Sequence, residues 1–120
     1  MARLRHFAVC VKDLDKAAEF YANVFDLKRI GREDLDIGSA IYMSDGVINL
    51  ALLNFKGKAG SKASDLKEGT AFVGAHHFGF QVDDLAETQK RFPKTKYGAS
   101  IHKTLADITK NAKNRKVCSN

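Results

Sequence analysis

The chain has 120 residues, 44% of them hydrophobic and 28% charged, which is the composition of one ordinary globular domain. No segment approaches the roughly 18–20 apolar residues of a membrane helix, and the first residues lack a signal-peptide pattern. We therefore expect a cytoplasmic protein that does not contact the membrane. Cys10 and Cys118 are then expected as reduced thiols, with a disulfide as the alternative.

The net charge of +6 is concentrated in the last quarter of the chain. Residues 90–120 carry nine Lys and Arg against the single Asp107, whereas residues 1–89 carry 11 against 13 acidic residues. Such asymmetry can mark a nucleic-acid contact. The basic segment has almost no interleaved aromatic residues, so a solvated face is the simpler interpretation and no nucleic-acid partner is expected.

The first elements follow from alternating and helical patterns. Residues 3–11 predict a strand with Leu4, His6, Ala8 and Cys10 on one face. The opposite face carries Phe7, Val9 and Val11, and we expect a helix to cover it. Asp13 is a candidate N-cap for a helix of about 12 residues.

Three further strands are predicted at residues 28–33, 38–44 and 46–54, with turns at 31–36 and 44–46. The first half is therefore expected to be βαβββ. In its last strand Asn49 and Ala51 share one face. Residues 55–71 are polar, without apolar periodicity, and are predicted to be a connection.

The second half begins like the first. Residues 73–82 predict a strand with His77, Gly79 and Gln81 on one face, opposite Phe78, Phe80 and Val82. Asp84 and Glu87 form a capping box for a second helix, which Pro93 ends. Beyond it we predict one strand at 99–104 and a basic helix over 105–116.

Two segments of the chain repeat each other. RHFAVCVKDLDKAAEFY (5–21) and HHFGFQVDDLAETQKRF (76–92) match at an offset of 71 residues, and the matches include His6 with His77 and Asp13 with Asp84. A histidine at the same strand position in both copies predicts two half-units that each contribute one imidazole to a shared centre. From the residues alone, a metal site, a metal-free polar pocket and two incidental histidines remain open.

These segments, together with INLALLN, resemble the vicinal oxygen chelate superfamily, which includes glyoxalase I, extradiol dioxygenases and bleomycin resistance proteins. The resemblance covers about residues 4–92. It implies an α+β fold in which paired βαβββ modules form a cup-shaped mixed sheet, with the second module incomplete or altered after residue 93. We expect a single domain over residues 1–120, with module one at 3–54, a connection at 55–71 and module two at 72–120.

The resemblance also implies a divalent metal (Fe, Zn, Ni or Mn) held by His6 and His77. The carboxylate that usually completes such a site is missing, because the matching position in module one falls at Asn49 and no Glu follows Glu87. His102 is a possible substitute. Cys10, Gln81, Asn49 and Ala51 are expected to line the ligand site, and no catalytic residue is assigned.

The implied function is a small-molecule enzyme in which the metal polarises adjacent substrate oxygens, as in glyoxalases and dioxygenases. The alternative is a metal-free protein of the same fold that binds or sequesters a small molecule. An incomplete second module leaves a sheet edge open, so we expect a homodimer. A partner chain could then supply the missing ligand from Glu33 or Asp36.

Overall fold

The computed structural model describes residues 2–91, 99–102 and 116–119. The chain forms two compact units, one made of Phe7–His76 and the other of Met1–His6 together with His77–Asn120. The fold is α+β, as the sequence predicts. Most of the repeated segment 5–21 lies in the Phe7–His76 unit, and most of the segment 76–92 lies in the other unit.

The first module is βαβββ, which confirms the prediction. Within it the strand order is β2-β3-β4-β1, with β2 antiparallel to β3 and β3 antiparallel to β4. Its elements are β1 (Arg3–Cys10), α1 (Leu14–Phe25), β2 (Lys28–Leu35), β3 (Gly38–Ser44) and β4 (Asn49–Phe55).

Helix α1 begins where the sequence places its N-cap. The backbone N–H of Lys16 donates to Asp13 Oδ1 at 3.0 Å, and the helix runs for 12 residues. Its inner face buries Leu14 and Ala18, which pack in one cluster with three side chains from β3 and β4: Ile41, Met43 and Leu52. This cluster is the described hydrophobic core of the Phe7–His76 unit.

Strand β2 continues through the predicted turn at residues 31–36, so that prediction is wrong. The ladder with β3 reaches Leu35, and the irregularity that Gly31 indicates is a register shift between Arg29 and Gly31. Charged side chains are tolerated here because β2 is the outer strand of this unit and most of its residues are exposed.

Strand β4 begins at Asn49, three residues later than predicted. Asp45 Oδ1 accepts hydrogen bonds from the backbone N–H groups of Val47 (2.8 Å) and Ile48 (2.7 Å). These two donors therefore belong to the turn, because a side chain and not a neighbouring strand satisfies them.

The predicted connection at 55–71 contains a helix, α2 (Gly57–Ser64), and a short 3₁₀ helix at Gly69–Ala71. The sequence pattern missed α2 because its buried positions are Gly60 and Ser64, which carry no large apolar side chain. A Cβ atom at Gly60 would collide with the Ile37 carbonyl oxygen, so only glycine allows this close approach.

The second module contains β5 (Gly74–Gln81), α3 (Leu85–Lys90), β6 (Ala99–His102) and β7 (Lys116–Ser119), with strand order β1-β5-β7-β6. Strand β6 lies where a strand was predicted at 99–104. Strand β7 was not predicted, and its Lys116 was expected in a helix. The rest of that predicted helix, and Pro93, lie outside the described residues.

The two faces of β1 differ from the prediction at one position. His6, Ala8 and Cys10 are buried, and on the other face Val11 packs against the core cluster. Phe7 was expected under a helix but is 39% exposed. The repeated strand agrees with this, because Phe78 and Phe80 are each 38% exposed.

Candidate functional site

The two histidines of the repeat lie side by side. His6 is 6% exposed, and its Nε2 atom lies 3.2 Å from Nε2 of His77. The ring centroids are 5.1 Å apart with an angle of 33° between the planes. Both residues belong to the same compact unit. The convergence predicted from the repeat is therefore present in the structure.

A distance of 3.2 Å between two ring nitrogens is consistent with two chemical states. One is a hydrogen bond in which one Nε2–H donates to the other, neutral Nε2. The other is shared coordination of a cation. Two nitrogens each about 2.1 Å from a metal lie roughly 3.0 Å apart at a right angle and roughly 3.4 Å apart at the tetrahedral angle. The pair therefore fits a divalent metal without a change in its spacing.

Two imidazoles alone are fewer than the three protein ligands of a typical open catalytic site. Among residues whose side chains are described, no group of three or more His, Cys, Asp or Glu could hold a metal ion. Any third ligand must therefore come from a residue of another type or from a residue outside that set.

Gln81 lies in the same unit as the two histidines. It is four residues after His77 on β5, so the alternation of side chains along a strand places both on the same face. It is partly buried. Its amide offers both donors and an acceptor, which suits contact with an oxygen-rich ligand.

The other predicted lining residues lie in the Phe7–His76 unit. Cys10 is 3% exposed, and burial raises the pKa of its thiol, which favours an unreactive side chain over a nucleophile. Ala51 is 1% exposed. The Asn49 Oδ1 atom is buried without a hydrogen-bond partner among the described residues, so it could accept a hydrogen bond from a ligand.

Comparison with known proteins identifies the family. The family model described as the Glyoxalase/Bleomycin resistance protein/Dioxygenase superfamily matches residues 3–113. The chain belongs to this superfamily. The match includes both strands that carry the paired histidines.

A crystal structure of a hypothetical protein from Bacillus halodurans C-125 is similar to this superfamily member, with a TM-score of 0.60. The two chains are 20% identical, and the alignment covers 85% of this chain and 72% of the other. At this identity the likeness shows the fold alone. A comparison with curated proteins gave no match.

One polar pair on the first module was not predicted. The Tyr42 hydroxyl donates to Glu33 Oε2 at 2.8 Å, and burial, followed by this hydrogen bond, raises the pKa of Tyr42. The β3–β4 register, with Tyr42 opposite Ala51, places this pair on the Asn49 face. The sequence does not reveal this hydrogen bond, because the pairing register of β2 and β3 determines which of their residues lie side by side.

His76, the neighbour of His77, has a different environment. Its Nε2 donates to the Ser64 carbonyl oxygen at 2.7 Å, and its ring lies 5.4 Å from that of Phe55. This hydrogen bond therefore connects the start of β5 to the end of α2 within the Phe7–His76 unit.

In the described part of the chain, no helix is long and apolar enough to cross a bilayer.

Proposed function

We propose that this superfamily member is a metal-dependent enzyme acting on a small, oxygen-rich molecule, with the metal held by His6 and His77. The observation that supports it is the 3.2 Å approach of the two Nε2 atoms. When bound, a divalent metal supplies Lewis-acid polarisation of adjacent substrate oxygens. A lyase, an isomerase and a dioxygenase all use this chemistry, so the proposal covers these three reaction types and does not choose among them.

The chain's own residues have separate roles in this proposal. Both imidazoles must be neutral at Nε2, so each ring carries its proton on Nδ1. Burial of His6 excludes water from one side of the pair. Gln81, on the same face of β5 as His77, hydrogen-bonds the substrate and orients it.

Cys10, Asn49 and Ala51 stay sequence-based proposals for ligand contacts, as does the homodimer. Light scattering at micromolar concentration tests the dimer, and a 13.3 kDa monomer would contradict it.

The metal proposal is tested by titrating untagged, metal-stripped protein with Zn²⁺, Mn²⁺, Ni²⁺ and Fe²⁺ in a calorimeter. We expect one metal per chain in the wild type and none in His6→Ala or His77→Ala. The matched control is His76→Gln, which changes the adjacent histidine but keeps a side-chain donor for the Ser64 carbonyl. Circular dichroism verifies that each variant is folded.

Two outcomes oppose the proposal. A wild-type protein that binds no metal stoichiometrically would favour the metal-free binding protein, in which the two histidines hydrogen-bond each other. Equal metal binding by wild type and His6→Ala would place the metal elsewhere.

A further inference from the structure

One face of the sheet of the first module carries three polar side chains in line. On β3, alternation puts Tyr42 on the same face as Ala40 and Ser44. Glu33 of β2 is the partner of Ala40, and Asn49 of β4 is the partner of Ser44. Because directly paired residues share a face, Glu33, Tyr42 and Asn49 form a diagonal row across three strands, the polar row.

The polar row lies on the face of the sheet that is turned away from helix α1. Ile41 and Met43, the neighbours of Tyr42 along β3, pack with the helix in the core cluster, so the Tyr42 side chain lies on the other side. All three members of the polar row are only partly buried. A ligand can therefore reach them from the side opposite the helix.

Tyr42 is held in place from two directions. Its ring lies over Gly31 of the outer strand, where a Cβ atom would be 3.8 Å from the Tyr42 Cδ2 atom. Its hydroxyl donates to Glu33 Oε2 at 2.8 Å. With its hydrogen given to Glu33, the Tyr42 oxygen is an acceptor toward any further group.

The polar row therefore presents acceptors to a ligand. The Glu33 carboxylate only accepts, and the Tyr42 oxygen has lone pairs to spare. The Asn49 Oδ1 atom is buried with no hydrogen-bond partner in the described part of the chain. Since a buried acceptor without a donor is unfavourable, an N–H or O–H group from a ligand would be stabilising there.

The negative charge of Glu33 is not balanced by the cations of its own strand. Arg29 and Arg32 approach Asp15 of helix α1 at 3.7 and 3.4 Å, on the other face of the sheet. Lys28 shares the Glu33 face by register, yet within the described ranges no ion pair joins the two. The polar row thus combines three acceptors with one negative charge that has no cationic partner.

We propose that the polar row is a binding site for a small cationic amine, with an ammonium group at Glu33 and Tyr42 and a second donor at Asn49. An ammonium group has three donors and no acceptor, so it matches a site made of acceptors. Its hydrogen bond to the Glu33 carboxylate is charge-assisted. Diagonal strand positions lie about 7–8 Å apart, a separation that suits the two ends of a short alkyl diamine.

NMR titration of ¹⁵N-labelled full-length protein with butane-1,4-diamine tests the site, with butanedioate as the anionic probe of the same length. We expect the diamine to shift the side-chain amide signals of Asn49 and the backbone amide signals of Glu33 and Tyr42. Butanedioate should shift none of these signals. An absence of diamine shifts at these residues, or equal shifts with butanedioate, would overturn the proposal.

Two carboxylates that are adjacent on β2 provide a matched pair of variants. Glu33→Gln should raise the Kd for the diamine at least about tenfold, because a hydrogen bond to a charged group is lost. Asp34→Asn removes the same charge on the opposite face and should change the Kd less than about twofold. Equal weakening in both variants would mean a general charge effect and would overturn the site. Circular dichroism verifies that each variant is folded.

Asn49→Ala tests the second donor position. This variant should weaken binding of butane-1,4-diamine but not of butan-1-amine, which has a single nitrogen for Glu33 and Tyr42. If both probes lose affinity equally, or neither does, Asn49 does not hold the second donor.

This inference goes beyond the metal proposal and does not depend on it. The polar row lies wholly within the Phe7–His76 unit, whereas His6 and His77 belong to the other unit. A protein that binds no metal but binds the diamine through Glu33 would retain this site and contradict the metal proposal. A protein that binds the metal but not the diamine would do the reverse.

Discussion

The two repeated segments begin alike but differ in the structure that follows. Each starts with a strand and a helix capped by Asp, yet α1 has 12 residues and α3 has six. Behind α1, Ile41, Met43 and Leu52 are fully buried. Among the described residues of the second copy, the buried hydrophobic side chains are Val82 and Leu85.

The shared motif therefore specifies a strand, a cap, a histidine position and one buried leucine (Leu14 and Leu85), but not the residues that pack behind the helix. Leu14 and Ala18 in the core of the first module lie within the repeat, but the three fully buried residues come from β3 and β4, which lie outside it. Among its described residues, the second module has β6 and β7 after its helix, with four described residues in each. Stability and chemistry can therefore be altered separately, which the following predictions use.

The largest expected effect is in the core of the first module. Leu52 is 0% exposed, so Leu52→Ala removes a buried side chain and leaves a cavity. We expect the free energy of unfolding to fall by about 2–5 kcal/mol, measured by urea denaturation. The change compared with it in the second module is Phe80→Ala, which should cost about 1–2 kcal/mol because the ring is already partly in water.

Phe7 extends this test to a residue that was predicted to be covered by a helix but is exposed in the structure. As a buried aromatic it would lose roughly 3–5 kcal/mol on truncation to Ala, but its exposure of 39% predicts a loss close to that of Phe80→Ala. If Phe80→Ala costs as much as Leu52→Ala, the contrast between the two modules is wrong. If Phe7→Ala costs as much, the inference from the exposure of Phe7 is wrong.

A smaller effect is expected at the two helix caps. The Asp13 carboxylate accepts the Lys16 N–H at 3.0 Å, and the Asp84 carboxylate accepts the Glu87 N–H at 3.1 Å. Asp13→Ala should destabilise the protein by about 1 kcal/mol, the usual value for an N-cap. Asp84→Ala should cost less, because α3 has only six residues to lose.

Chemical denaturation of both cap variants beside the wild type measures this difference. A larger loss for Asp84→Ala would show that α3 contributes more to stability than its length suggests, and would remove the asymmetry between the modules.

The sequence predicted best what depends on local chemistry. The N-cap at Asp13, the helix that follows it and the order βαβββ all come from spacing and side-chain type. The meeting of His6 and His77 follows from the repeat, since equal strand positions in equal units can converge.

Features that depend on packing between elements were not predictable. Helix α2 is buried through Gly60 and Ser64, which give no apolar signal. The Tyr42–Glu33 hydrogen bond depends on the register between β2 and β3, and the sequence of one strand does not determine its register with another.

The smallest expected effect concerns the hairpin of β2 and β3, where the first module has polar contacts along its outer strand. The Ser39 hydroxyl donates to Asp34 Oδ1 at 2.6 Å, and Arg32 Nε donates to Asp34 Oδ2 at 3.1 Å. The Ser39 hydrogen bond first, and then Arg32, lower the pKa of Asp34 below its ordinary value. A lowered folded-state pKa contributes stability above the unfolded pKa, and this contribution is lost as pH falls through the folded pKa.

Ser39→Ala removes the larger of these two causes, so the pKa of Asp34 should rise toward its ordinary value, and the stability that acid removes through Asp34 should become smaller than in the wild type. Carboxyl NMR titration measures the shift directly. Asp45 is the internal control, because backbone N–H groups of Ile48 and Val47 lower its pKa and Ser39 takes no part. An unchanged Asp34 titration would mean that Arg32 alone holds the carboxylate ionised. An equal rise at Asp45 would show a general change in the fold, and the polar contacts of β2 would then not distinguish the first module from the second.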